Sequence, residues 1–219
     1  MIQINIIPSL VINQNGLFAK DKSGKLVDIC LHQGSLDGAC SVYSVFMNLL
    51  ILKVISYNDI KVYEKSNDPE TRKLCKKLLE ENGMHHNGQY LSTIRKILNE
   101  SIGSQISAKN PRATQREVIP QIVDHLKRDY PVIISVGFRG GKDAHALLCV
   151  GYEGSDENPS KLFCLDPDTP KTFNNYWNTV IDLETNSNNR KYFSRYIPNE
   201  LNTEYDVSLD DILLITPKE

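Results

Sequence analysis

The chain has 219 residues, 40% of them hydrophobic and 24% charged, a length and balance that suit one folded domain with a sizeable core and exclude global disorder. Its 25 basic and 27 acidic side chains leave a net charge of -2, without the basic footprint of phosphate-backbone binding, so no nucleic-acid partner is expected. The longest apolar run, Leu49 to Ile55, is broken by Lys53 and is too short to span a bilayer, so no membrane role is expected.

The first residues, Met1 to Pro8, alternate like a strand and lack the basic lead and apolar run of a signal peptide. The expected location is therefore cytoplasmic, with delivery to another cell as the alternative. Leu17 to Ala19 and Leu26 to Ile29 flank an Asp21-Lys22-Ser23-Gly24 turn and predict a hairpin. From Cys40 to about Val54 the apolar residues Val42, Tyr43, Val45, Phe46, Leu49, Leu50 and Leu52 cover most of a helix circumference, which predicts a helix buried on nearly all sides. Asp68-Pro69-Glu70 supplies a helix start, Leu74, Cys75, Leu78 and Leu79 its apolar stripe, and Gly83 its stop.

A third helix is expected from Gln89 to Asn99, with Leu91, Ile94, Ile97 and Leu98 on one side. Thr114 and Glu117 read as the capping box of a fourth helix reaching Arg128, and Pro120 predicts that it begins late or kinks. After Tyr130 the period becomes two. Pro131 to Gly137, Ala144 to Glu153 and Lys161 to Asp166 read as three antiparallel strands, joined by Arg139 to Lys142 and the polar loop Gly154 to Ser160. Residues 171 to 210 carry no readable pattern, and Asp211 to Thr216 reads as a closing strand. The expectation is a single α+β domain over 1–219: an N-terminal β-hairpin region at 1–31, a helical half at 32–129 and a sheet half at 130–219.

Five cysteines, at 30, 40, 75, 149 and 164, form no Cys-x-x-Cys pair, and reduced thiols are expected. Neither a metal nor an organic cofactor is expected. Cys40 stands apart from the others because it opens the buried helix directly after the small, turn-forming stretch Gly34 to Ala39. A helix N-terminus stabilises a thiolate through unpaired N–H groups and the helix dipole. An oxyanion formed by that thiolate needs donors, for which the Gln33 side-chain amide and the Cys40 backbone N–H are the candidates. His145 opens one strand and Asp166 ends the next, so antiparallel pairing sets them side by side at one edge, with the alternation placing both on one face. Thiol, imidazole and an orienting acid are the parts of a nucleophilic triad.

The stretch His145-Ala146-Leu147-Leu148-Cys149-Val150-Gly151-Tyr152 resembles the histidine strand of papain-like cysteine peptidases, and Gln33-Gly34 leading to Cys40 resembles their glutamine-to-nucleophile loop. The chain order Gln, Cys, His, Asp agrees, and Asp166-Pro167 is closer to bacterial members similar to bacteriocin-processing peptidases than to the lysosomal ones. Gln33 lies seven positions before Cys40, one more than usual in that family, and Ser41 stands where tryptophan or glycine is common. The resemblance implies a papain-like fold with the cysteine on a buried central helix against an antiparallel sheet. It also implies acyl transfer through a thioester, with Cys40 attacking, His145 as base and acid, Asp166 fixing His145 and Gln33 holding the oxyanion. The expected substrate is a protein or peptide, cleaved at a peptide or isopeptide amide; oligomeric state is not indicated.

Other readings stand beside these. The same triad serves a glutamine deamidase or acyltransferase, and a binding module that has lost activity keeps the same fold. Cys40 as a core thiol is the plain alternative, and Cys30, Cys75, Cys149 and Cys164 fall in core patterns. His32 is a rival base, Asp168 and Asp143 are fallback orienters, and His85, His86 and His125 read as turn or helix residues. Trp177, the only tryptophan, either shields the His145–Asp166 bond or packs elsewhere.

Overall fold

The computed structural model describes residues 3–33, 39–60, 68–80, 89–111, 114–141, 144–170, 176–183, 191–199 and 203–218. The Gly34–Gly38 loop, the Gly83 stop, His85, His86 and Asp143 lie outside them.

The chain opens with strands β1 (Ile4–Ile6), β2 (Leu10–Asn13), β3 (Gly16–Lys20) and β4 (Leu26–Asp28). The expected hairpin is β3–β4, with Phe18 opposite Asp28. Its turn is tied by the buried Asp21, whose Oδ1 accepts the Ser23 and Lys25 N–H groups at 2.9 and 3.2 Å. β2 extends it to three strands.

Helix α1 (Cys40–Ile51) is buried along nearly its whole length, as the all-round apolar pattern requires. It ends where Lys53 takes a left-handed φ of 57°. There the Val54 N–H reaches the Leu49 carbonyl at 2.9 Å and the Lys53 N–H the Leu50 carbonyl at 3.0 Å, a Schellman closure that satisfies otherwise orphaned carbonyls.

Helix α2 (Pro69–Glu80) starts where expected, with Asp68 Oδ1 accepting the Glu70 and Thr71 N–H groups at 2.9 and 3.2 Å. α3 (Leu91–Ile102) leads into the short strand β5 (Ile106–Lys109), and α4 runs Gln115–Lys127. The delayed start predicted from Pro120 does not occur: α4 begins directly after Thr114, with Pro120 inside it and the Thr114/Glu117 capping box formed. Proline deletes the bond to the Arg116 carbonyl, at a cost of about 3 kcal/mol. The capping box and the buried Val118, Ile122, Val123 and Leu126 offset it.

Six strands then follow: β6 (Val132–Phe138), β7 (Ala144–Gly154), β8 (Pro159–Leu165), β9 (Thr179–Asp182), β10 (Ser194–Pro198) and β11 (Tyr205–Pro217). Each pairs antiparallel with the next, and β11 returns to β6, closing a ring. The three expected strands are therefore half of a six-stranded closed sheet, and residues 171–210 contribute β9, β10 and the start of β11. β1 adds to β7 and β5 to β11. The pairing of β1 with β7 needs Gly151, where a Cβ would meet the Asn5 carbonyl oxygen at 2.5 Å and the Ile6 side chain at 2.6 Å.

Helix α1 packs on β6 and β7 with one side and on β3 and α3 with the other, which is why it has almost no wet face. Among the described residues, no helix is long and apolar enough to cross a membrane.

Candidate active site

Strand β8 ends its pairing with β7 at Leu165 opposite Leu148. Beyond that point one edge of β7 has no strand beside it among the described residues, and the N-terminal end of α1 docks there instead. The Ala146 N–H donates to Cys40 Sγ at 3.4 Å, and the Ala146 carbonyl accepts from Ser44 Oγ at 3.3 Å. One helical step further, Asn48 Nδ2 donates to the Pro131 carbonyl at 2.9 Å. Cys40, Ser44 and Asn48 fall at i, i+4 and i+8, a polar stripe down an apolar helix that meets backbone groups the sheet leaves open. The sequence reading missed Ser44 and Asn48, although polar residues four apart from Cys40 in a fully buried helix were the signal for them.

His145, the second residue of β7, has a side chain 15% exposed. Its Nε2 lies 2.7 Å from Asp166 Oδ1, which leaves Nδ1 for the Cys40 sulfur, a hydrogen-bonding partner of the ring. Burial works to lower the His145 pKa. The hydrogen bonds and charges of Asp166 and Cys40 outweigh it and push the value up to about 10. A ring shifted in this direction keeps its proton to higher pH than a free imidazole does.

Asp166 follows β8 directly and is wholly buried. Its Oδ1 also accepts the Asp168 N–H at 2.8 Å, while Oδ2 accepts the Tyr196 hydroxyl together with Thr169 Oγ1 at 3.2 Å and Thr179 Oγ1 at 3.4 Å. Burial alone would raise the carboxyl pKa; His145, Tyr196 and the Asp168 N–H hold it below the usual carboxylate value. The main chain at Asp166 is gripped as well. Asn178 Oδ1 accepts the Asp166 N–H at 2.7 Å, and Nδ2 donates to the carbonyls of Asp166 and Thr169 at 2.8 and 2.6 Å. Asn178, Thr179 and Tyr196 come from the stretch that carried no pattern, and no signal in the sequence singled them out.

Gln33 is buried beside the Asp166–Asp168 turn. Its backbone N–H donates to the Pro167 carbonyl at 2.8 Å and its Nε2 to Asp168 Oδ1 at 2.9 Å. His32, the rival base, turns its Nδ1 to the same Pro167 carbonyl at 2.8 Å. Asp168, a fallback orienter, holds Gln33 and not His145. Trp177 stacks on Phe163 with ring centroids 4.1 Å apart; the aromatic rings beside His145 are Phe138 and Tyr196, each at 6.4 Å. Cys75, Cys149 and Cys164 are buried, and Cys164 faces Cys149 across β7–β8. His125 is buried in α4 with Nε2 on the Ile215 carbonyl at 3.2 Å.

At α1 the N-cap Ala39 provides no side-chain cap. Among the described residues, Ser41 Oγ and Gln33 Oε1 are buried without a hydrogen-bond partner. No group of three or more His, Cys, Asp or Glu side chains among the described residues is arranged to hold a metal ion. The parts assembled are a sulfur at a helix N-terminus, an imidazolium beside it and a buried carboxylate behind that ring, the inventory of thiol-mediated acyl transfer.

No curated protein matches the chain. A crystal structure of UfSP from C. elegans aligns with a TM-score of 0.43 at 13% identity, covering 99% of this chain and 34% of that one, so this chain spans about a third of its length. Residues 22–195 match the sequence profile of the Peptidase_C39 like family, a span that contains Gln33, Cys40, His145 and Asp166. The chain belongs to the Peptidase_C39 like family, within the papain-like peptidase superfamily that its cysteine and histidine motifs resemble.

Proposed function

We propose that this protein is a cysteine peptidase that cleaves a peptide or isopeptide amide in a protein or peptide substrate through a thioester. The Cys40 thiolate attacks the scissile carbonyl carbon, and the oxyanion is held by the Gln33 side-chain N–H and the Cys40 backbone N–H. His145 passes its Nδ1 proton to the leaving amine as the C–N bond breaks, giving the thioester and a neutral imidazole. Water then attacks the thioester as His145 takes its proton, the acid leaves, and the thiolate–imidazolium pair is restored. Asp166 keeps Nε2 protonated and the ring oriented throughout.

The observation that carries this reading is the 2.7 Å bond from His145 Nε2 to the buried Asp166, with the Cys40 sulfur as the other partner of the same ring. The resemblance of Asp166-Pro167 to bacterial bacteriocin-processing peptidases is the guide to its specificity.

Comparing newly formed termini and deamidated glutamines in a lysate treated with wild type or Cys40→Ala tests it. New termini confined to the wild-type sample are expected. Identical profiles remove the enzymatic reading, and deamidated glutamines without new termini move the reaction to deamidation.

A further inference from the structure

Asp168 takes no part in the chemistry above, yet its carboxylate closes onto Gln33. Three bonds tie residues 32 and 33 to residues 167 and 168: Gln33 N–H to the Pro167 carbonyl at 2.8 Å, His32 Nδ1 to the same carbonyl at 2.8 Å, and Gln33 Nε2 to Asp168 Oδ1 at 2.9 Å. The Asp168 N–H in turn donates to Asp166 Oδ1 at 2.8 Å. One turn, Asp166-Pro167-Asp168, thus holds His145 with its first carboxylate and Gln33 with its second.

A carboxylate only accepts hydrogen bonds, whereas a glutamine amide has an oxygen end and a nitrogen end of nearly equal shape. Only the nitrogen end satisfies Asp168. Because Nε2 carries two N–H groups, one bond to Asp168 leaves the other free to donate, and the amide cannot turn over without setting two oxygens against each other. Gln33 Oε1 is buried without a partner among the described residues, so none of those residues selects the orientation from the oxygen side. Resting on the reading of Cys40 and Gln33 given above, we propose that Asp168 is the positioning residue of the oxyanion donor: it fixes the Gln33 amide nitrogen-first, so that a donor and not an acceptor meets the developing oxyanion.

The test separates reactions that form an oxyanion from one that does not. p-Nitrophenyl acetate acylates a thiolate through a tetrahedral oxyanion, whereas iodoacetamide alkylates it by direct displacement. Gln33→Ala is expected to slow acylation of Cys40 about 100-fold and Asp168→Ala about 10-fold, with iodoacetamide alkylation changing less than about twofold in either. Asp168→Asn keeps an acceptor oxygen at the same reach and is expected within about threefold of wild type. Gln33→Ala combined with Asp168→Ala is expected to be no slower than Gln33→Ala alone, because both act through one donor. If Asp168→Ala does not fold, Asp168→Ser serves with the same expected loss.

Acylation by Asp168→Ala or Asp168→Ser at the wild-type rate overturns the assignment, as does a double variant whose losses multiply. A wild type that acylates no faster than Cys40→Ala removes the peptidase reading and this one with it. A wild type well above Cys40→Ala but equal to Asp168→Ala removes only the role of Asp168.

Discussion

The two ends of the site are built differently. Around Asp166 every acceptor position is filled, by an imidazole, a backbone N–H and three hydroxyls, and its main chain is clasped by Asn178. Around Cys40 the helix lacks a side-chain cap, Ser41 Oγ is unpartnered among the described residues, and besides the His145 ring the sulfur has a 3.4 Å bond from the Ala146 N–H. The acid end is a finished network whose members hold one another in place. The Cys40 end keeps hydrogen-bonding capacity in reserve, which the proposed function would use to receive a substrate carbonyl.

The contrast breaks most severely with Asp166→Ala. That change removes the carboxylate shared by the hydroxyls of Tyr196, Thr169 and Thr179 and leaves the His145 ring without its acceptor, so a loss of about 3–5 kcal/mol is expected in urea unfolding. A loss under about 1 kcal/mol would mean that the network relaxes freely.

Acidity probes the same contrast. The folded His145 pKa of about 10 lies above its reference of 6.5, so the stability it contributes is complete below 6.5 and is lost as pH rises through about 10. Asp166 is lowered from 3.8, and its contribution is complete above that value and lost as pH falls below it. The difference in melting temperature between wild type and His145→Ala should therefore be greatest between 3.8 and 6.5 and shrink steadily from 6.5 to 10. A difference that grew with alkalinity would contradict a protonated His145.

Removing one donor sharpens the comparison further. Tyr196→Phe keeps the ring beside His145 and Phe138 but deletes the hydroxyl on Oδ2, for an expected loss of about 1–2 kcal/mol in the urea midpoint. Ser41→Ala, at the other end, deletes a buried hydroxyl that bonds nothing described, and should stay within about 0.5 kcal/mol of wild type. Equal losses in the two variants would erase the distinction between a filled end and an open one.

What could be read in the sequence follows the reach of its signals. The helix beginning at Cys40, the Thr114/Glu117 cap and strands β6 to β8 carry their periodicity within a single segment, and each was legible. The pairing of His145 with Asp166 followed from alternation on two neighbouring strands. β9 and β10 are four and five residues long, too short for a period to stand out, and their identity comes from partners far along the chain. For the same reason Tyr196, Thr179 and Asn178 were invisible: a hydroxyl or amide becomes meaningful only when closure of the ring brings it to Asp166. The late start expected from Pro120 does not occur: helix rules score the lost bond, while the packing of the α4 face against the sheet sets where the helix begins.

The ring also imposes an order of events on the folding chain. His145 and Asp166 are 21 residues apart on adjoining strands, Tyr196 is 30 from Asp166, and the Cys40 sulfur meets Ala146 across 106 residues. Short closures lose less chain entropy than long ones, so the acid–imidazole half is expected to form early and the sulfur to arrive late. A newly made chain would then pass through its sticky, half-collapsed stages before the Cys40 sulfur reaches β7. Pulse-labelling exchange would contradict this if the Ala146 amide became protected before the other amides of β7 and those of β8.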